Sequence, residues 1–212
     1  MIGFYNYTVV MTYLSLLVST AGLYFAVSGH PFAALFCLMA SGICDMFDGK
    51  IARTRQGSTD EERRFGIQLD SLCDIVCFGV LPAVIGVMVV GSLPYARYLA
   101  WVVGAMLILG ALIRLAYFNV TEETRQATER GRRTHYTGLP VTSSAVIFPF
   151  AFGLSRLVPD VASPWIYSAF ALATAICFVC PFRMRKPHGV GLVILGLLGL
   201  AEFAALLFIM KM

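Results

Sequence analysis

Long apolar stretches separated by short polar ones run through the whole chain. A membrane-spanning helix needs about 20 mostly apolar residues, and seven stretches have roughly that length. They cover residues 7–28, 31–53, 65–91, 95–119, 139–157, 163–181 and 189–210. Gly and Pro punctuate several of the separators, as at residues 29–31 and 91–94. The pattern therefore predicts an all-α, polytopic bundle of transmembrane helices.

The composition agrees with this prediction. Hydrophobic residues make up 58% of the chain and charged residues only 13%, whereas soluble domains carry about 25% charged residues. We therefore expect one integral membrane domain covering residues 1–212. The six cysteines lie within the apolar stretches, where we interpret them as small buried side chains.

Basic residues collect in the loops that follow the second, fourth and sixth stretches. These residues are Arg53, Arg55, Arg63, Arg64, Arg125, Arg130, Arg132, Arg133, Arg183, Arg185 and Lys186. The intervening loops contain only Arg97 and Arg156. Because cytoplasmic loops carry the excess of Lys and Arg, we predict that the three basic loops and the N-terminus lie in the cytoplasm.

Four aspartates interrupt the apolar pattern in the second and third stretches. Asp45 and Asp48 are three residues apart, and Asp70 and Asp74 are four apart, so each pair shares one face of its helix. A buried carboxylate is costly unless it is paired. Hard divalent cations prefer sites made of oxygen ligands. Two facing helices would bring the four carboxylates together as a predicted metal site.

Small and basic residues accompany the aspartates. Gly49 and Ala52 remove side-chain bulk, so a phosphorylated ligand could approach the backbone closely. Arg53 offers a guanidinium fork that suits phosphate. These residues extend the predicted site from a metal to a phosphorylated ligand.

The order of these residues resembles the signature of the CDP-alcohol phosphotransferases, D-x2-D-G-x2-A-R followed by G-x3-D-x3-D. All eight signature positions are present, at Asp45, Asp48, Gly49, Ala52, Arg53, Gly66, Asp70 and Asp74. The spacer at residues 54–65 is longer than the family's usual one and is polar, so we expect a longer loop between intact helices. The resemblance implies a core of six transmembrane helices, to which residues 189–210 add a seventh.

The resemblance also implies a reaction, in which CDP-diacylglycerol donates a phosphatidyl group and CMP leaves. It implies two divalent ions, Mg²⁺ or Mn²⁺, held by Asp45, Asp48, Asp70 and Asp74. Asp74 is further expected to act as general base on the acceptor hydroxyl. The nucleotide pocket is expected to contain Asp45, Gly49, Ala52, Arg53 and Gly66.

Three further runs are similar to the branch of the family that forms phosphatidylserine. They are D-S-x-x-D-x-x-x-F-G from Asp70, R-x-x-x-F-N-V from Arg114 and G-L-P from Gly138. They imply L-serine as the acceptor. Arg114 is a lone cation near the inner end of its stretch, where it either snorkels to the interface or binds a substrate carboxylate or phosphate. With Asn119 beside it, we expect an acceptor or phosphate site there.

Two alternatives remain open at this point. The same chemistry could serve another alcohol, namely inositol phosphate, glycerol phosphate or choline. A small cation carrier could also use intramembrane acids, but carriers place them near the midplane of repeated halves, and no repeat is evident. The expected partners are the two substrates, membrane lipid and, from the resemblance, a second copy in a homodimer. No nucleic-acid partner is expected, and the active site should face the cytoplasm from the cell membrane.

Overall fold

The computed structural model of the chain describes residues 3–52, 54–55, 57, 59–90, 94–128, 135–159, 162–185 and 190–211. The α-helices are α1 Val10–Val27, α2 Pro31–Ala52, α3 Asp60–Asp74, α4 Leu81–Val89, α5 Pro94–Thr128, α6 Ser144–Ser155, α7 Ser163–Val179 and α8 Val190–Lys211. The prediction of an all-α bundle is confirmed. The only strands among the described residues are β1 His135–Thr137 and β2 Arg183–Arg185, each of three residues.

Four helical segments of the described chain are long and apolar enough to cross a membrane. They are Tyr7–Val27, Pro31–Ile51, Asp60–Val89 and Tyr95–Thr124. The chain is therefore a membrane protein by helix length and composition. The fifth and sixth apolar stretches form shorter helices, α6 with 12 residues and α7 with 17. Helix α6 begins only at Ser144, because the backbone of Pro140 before it is extended, with ψ of 140°.

The third apolar stretch is a helix with a break in its regularity. A π-helical turn, Ile75–Val80, follows α3 directly after Asp74 and leads into α4. A π turn closes its hydrogen bonds over one more residue than an α turn does. The faces of α4 are therefore rotated relative to those of α3.

Helices α1 and α2 form a hairpin around Gly29, whose φ of +81° lies in the region that favours glycine. Buried hydroxyls join the two helices. The Oγ atoms of Ser19 and Ser41 are 2.8 Å apart, and Ser15 donates to the carbonyl of Ser41 at 3.3 Å. Such bonds between helices satisfy polar groups that cannot reach water.

The remaining helices pack around the π-helical turn and its neighbours. Helix α5 contacts α4 and α7, and α6 contacts α7 and α8. The largest fully buried apolar side chains of the core include Leu35, Leu38, Phe78, Leu81, Phe148 and Phe178. Strands β1 and β2 pair in antiparallel fashion, and this ladder joins the segment before α6 to the segment after α7.

Candidate active site

The start of α3 is set by a capping box. The Glu62 N–H donates to the Thr59 hydroxyl at 3.2 Å, and the Thr59 N–H donates to the Glu62 carboxylate at 3.1 Å. This reciprocal pair satisfies two backbone donors that a helix start otherwise leaves free. Arg55 binds the other Glu62 oxygen at 2.6 Å. Part of the long polar spacer therefore serves to start α3, which carries two of the four aspartates.

The carboxylates of Asp45, Asp70 and Asp74 converge between α2 and α3. Each offers one oxygen, and these oxygens all lie within 4.8 Å of one another. Asp74 is buried, while Asp45 and Asp70 are partly buried. The predicted juxtaposition of the two helices is therefore present, and we call Asp45, Asp48, Asp70 and Asp74 the aspartate cluster.

Asp48 lies at the edge of this cluster. It is buried, with 8% of its surface exposed, and it contacts Asp70. The hydroxyl of Thr12 and the backbone of Gly49 lie beside its carboxylate. Thr12 belongs to α1, so a third helix contributes to the orientation of the carboxylates.

The aspartate cluster fits a divalent cation. Its donors are carboxylate oxygens alone, the ligand type that hard divalent cations prefer. Within the described parts of the chain, no ion pair involves an aspartate of the cluster. Burying several carboxylates together is expensive without a compensating positive charge. The residues present therefore suit a bound metal, and the cluster could hold one.

Three further predicted nucleotide-site residues, Gly49, Ala52 and Gly66, lie on the same two helices. Gly49 is exposed near the end of α2, and a Cβ added to Gly66 would meet no atom within 4 Å. This open space beside α3 leaves room for a ligand. Ala52 is the last residue of α2. Arg53 lies outside the described residues.

Arg114 is buried on α5, with 6% of its surface exposed. Its Nε donates to the carbonyl of Leu139 at 3.1 Å, and its guanidinium lies 5.8 Å from the centre of the Phe118 ring. Beside it is a cavity of about 200 Å³ lined by Ile113, Arg114, Tyr117, Thr137, Phe178, Val179, Cys180 and Pro181. A buried guanidinium next to a cavity is suited to bind an anion.

Asn119 points its amide at α3. Its Oδ1 accepts from the Ser71 hydroxyl at 2.9 Å, and its Nδ2 donates to the Gln68 side chain at 3.4 Å. Both partners flank Asp70 in sequence. The structure thus brings Asn119 to the helix that carries the carboxylates.

Three neighbours of the site, Thr12, Gln68 and Ser71, were not predicted from the sequence. A signal for Thr12 existed, since Thr12, Ser15 and Ser19 recur at helical spacing in an otherwise apolar helix, and all are buried. A polar stripe of this kind faces other helices and not lipid. Ser71 belongs to the D-S-x-x-D run that begins at Asp70, but no role was assigned to it, and Gln68 carried no signal.

Known proteins resemble the chain over most of its length. The family model for CDP-alcohol phosphatidyltransferase matches residues 5–180. A CDP-diacylglycerol–serine O-phosphatidyltransferase of Mycobacterium tuberculosis (strain CDC 1551 / Oshkosh) is 30% identical over 183 residues, which is 85% of this chain and 61% of that protein. The protein of the same name from Helicobacter pylori (strain 26695) is 30% identical over 143 residues, or 68% of this chain and 55% of its own length.

An archaetidylserine synthase of Methanothermobacter thermautotrophicus is also similar. It is 27% identical over 179 residues, which cover 84% of this chain and 66% of the relative. The chain spans about three fifths of the length of the bacterial relatives that it matches.

Proposed function

Since the chain belongs to the CDP-alcohol phosphatidyltransferase family, we propose that it transfers the phosphatidyl group of CDP-diacylglycerol to the hydroxyl group of L-serine. The products are phosphatidylserine and CMP. The observation that carries this proposal is the convergence of three carboxylates, from Asp45, Asp70 and Asp74, within 4.8 Å. The names of the bacterial relatives, which specify serine, support the choice of acceptor.

In the proposed mechanism Asp45, Asp48, Asp70 and Asp74 would hold two divalent ions, Mg²⁺ or Mn²⁺. Such ions would supply Lewis-acid chemistry, which would polarise the diphosphate of the donor and neutralise the charge on the departing CMP. Asp74 lies one helical turn beyond Asp70. It takes the proton of the serine hydroxyl while the serine oxygen forms its bond to phosphorus. The bond from that phosphorus to CMP breaks, and CMP leaves with the electron pair.

The two substrates occupy different sides of the cluster in this proposal. Gly49, Ala52, Arg53 and Gly66 shape the CMP pocket, and the open space beside Gly66 supports this assignment. Arg114 binds the serine carboxylate, because its buried guanidinium borders a cavity of about 200 Å³ and offers a planar fork.

We further propose that the protein lies in the cell membrane as a homodimer, with the cluster facing the cytoplasm. The basic segments meet at one end of the bundle, since Arg64 contacts Glu123 at 3.5 Å and β1 pairs with β2. A membrane-impermeant thiol reagent should therefore label Glu61→Cys only from the cytoplasmic face and Ser28→Cys only from outside. The reverse pattern would overturn the orientation.

The proposal of a homodimer rests on family resemblance. A measurement of the mass of the purified protein in detergent tests this proposal.

The deciding experiment is release of CMP from CDP-diacylglycerol by the purified protein. We expect release with Mg²⁺ or Mn²⁺ and L-serine, none in excess EDTA, and none with Asp70→Asn as the matched control. Inositol phosphate, glycerol phosphate and choline form the comparison arms. Release with one of these and not with serine would change the acceptor, and no release with any alcohol would overturn the transferase assignment.

A further inference from the structure

Helix α3 presents two different faces to its neighbours. Gly66, Asp70 and Asp74 recur every four residues along one face, and the carboxylates of Asp70 and Asp74 meet that of Asp45 on α2. Gln68 and Ser71 lie on another face, where both contact Asn119 of α5. The carboxylates and the contacts to α5 are thus carried by separate faces of one short helix.

Asn119 makes two hydrogen bonds to α3, and its two partners lie on either side of Asp70 in the sequence. It accepts from Ser71, one residue after Asp70, at 2.9 Å, and it donates to Gln68, two residues before, at 3.4 Å. The bond to Ser71 is partly buried, so water competes less for it, whereas the longer bond to Gln68 is exposed. The neighbouring contact of Arg64 with Glu123 joins side chains that are 73% and 63% exposed, and exposed pairs of this kind contribute little.

We propose that Asn119 is a positioning residue, which sets the rotation of α3 about its axis and thereby the approach of Asp70 and Asp74 to Asp45. The outer radius of a helix is about 5–6 Å, so a rotation of only about 10° moves a carboxylate by about 1 Å. A displacement of that size in a catalytic constellation can cost about a hundredfold in rate. The inference rests on the proposed function only in taking the cluster to be a metal site.

This role differs from direct contact with the acceptor, which the sequence motif had suggested for Asn119. A residue that touches serine changes the serine KM and leaves metal binding alone. A residue that orients the metal ligands changes metal binding even when no substrate is present. Groups that hydrogen-bond directly to metal ligands are worth about 10–100-fold in metal affinity, and we expect Asn119, which acts through the neighbours of Asp70, to reach the lower end of that range.

The test measures Mn²⁺ binding to purified protein by electron paramagnetic resonance, without CDP-lipid or serine. Asn119→Ala and Ser71→Ala should each weaken Mn²⁺ binding by about tenfold or more, and the double variant should be little worse than either single one. Ser71→Thr keeps the hydroxyl and should restore binding. Glu123→Gln, which removes the exposed contact of the same two helices, is the matched control and should bind as the parent does.

Mn²⁺ binding within twofold of the parent in both alanine variants would overturn the proposal, whether or not the serine KM rises. Failure of the parent protein to bind Mn²⁺ would overturn it as well. If Asn119→Ala does not fold, Ser71→Ala carries the comparison. The acceptor assignment is tested separately, since CMP release by the parent with each alcohol does not depend on these variants.

Discussion

The two halves of the helical segment at residues 60–89 are held in place by opposite kinds of contact. The first half, α3, is joined to its surroundings by a capping box and by the bonds of Ser71 and Gln68 to α5. The second half, α4, is apolar and closely packed, with Leu81 and Ile85 completely buried. Directional polar contacts predominate around the half that carries the carboxylates, whereas close apolar packing predominates around the other half.

The packing of α4 depends on the absence of a side chain. A Cβ added to Gly86 would lie 2.7 Å from the ring of Tyr167, so glycine permits the close approach of α7. Helices in a membrane have little hydrophobic driving force to associate, because lipid tails are as apolar as the helix surfaces. Small residues at helix contacts therefore provide the usual means of tight packing there. The π-helical turn separates this packed half from the polar half. Changes in α3 should therefore affect chemistry, and changes in α4 should affect stability.

The largest effect is expected for Asp74→Asn in the polar half. Asparagine keeps the shape of the side chain and one oxygen but cannot take a proton from serine. We expect kcat to fall by at least about a hundredfold, because general-base assistance is worth about 10²–10⁴-fold. Binding of CDP-diacylglycerol should remain near that of the parent, as should thermal stability in detergent. Steady-state kinetics with CMP detection and a direct lipid-binding measurement check this.

Other results for the Asp74→Asn variant would assign a different role to Asp74. If lipid binding collapses together with the rate, Asp74 serves mainly as a metal ligand. If the rate barely changes, the proton of serine goes to another group and the proposed mechanism is wrong.

The second effect is expected for Gly86→Ala in the packed half. The new methyl group would overlap the buried ring of Tyr167, and overpacking of this kind costs about 1–3 kcal/mol. Gly196→Ala is the matched control, because it makes the same change in a helix with no atom within 4 Å. Reversible unfolding in mixed micelles should separate the two variants, while kcat per folded molecule stays constant in both. Equal stability of the two would refute the packing argument.

The convergence of the carboxylates was more predictable from sequence than the contacts that support them were. Asp45, Asp48, Asp70 and Asp74 were identified from helical spacing alone, because a carboxylate in an apolar stretch is conspicuous. The π-helical turn at Ile75–Val80 was not predicted, since its residues are ordinary apolar ones and its form depends on tertiary packing.

Helix ends and long-range contacts also escaped prediction. The fourth stretch was expected to end at Asn119, yet α5 continues to Thr128, because polar residues with good helix propensity extend a helix beyond its apolar part. The contacts of Thr12 with Asp48 and of Asn119 with Ser71 join residues distant in sequence, and one sequence contains no local pattern that pairs them.

The third effect concerns Arg114, a charged residue in the otherwise apolar part of α5. Arg114 could serve either the chemistry, as the residues of α3 do, or the stability, as the residues of α4 do. Arg114→Lys keeps the charge but replaces a planar fork with a point charge. We expect the serine KM to rise about tenfold, equivalent to about 1.4 kcal/mol, with no change in the KM for CDP-diacylglycerol. Kinetics with each substrate varied in turn provide the measurement. Equal rises in both KM values, or a fall in stability alone, would place Arg114 with the structural residues.

The smallest effect is expected for Tyr167→Phe, which tests how far the two halves are independent. The Tyr167 hydroxyl is buried and donates to the carbonyl of Pro82 at 2.9 Å. Phenylalanine removes this one bond and leaves the ring against Gly86, so the free energy of unfolding should fall by about 0.5–1.5 kcal/mol. Because Pro82 lies beyond the π-helical turn from Asp74, kcat and Mn²⁺ affinity should be unchanged. A fall in kcat of tenfold or more in the folded variant would mean that the turn transmits displacements of α4 to the carboxylates, and the division between a chemical half and a structural half would then fail.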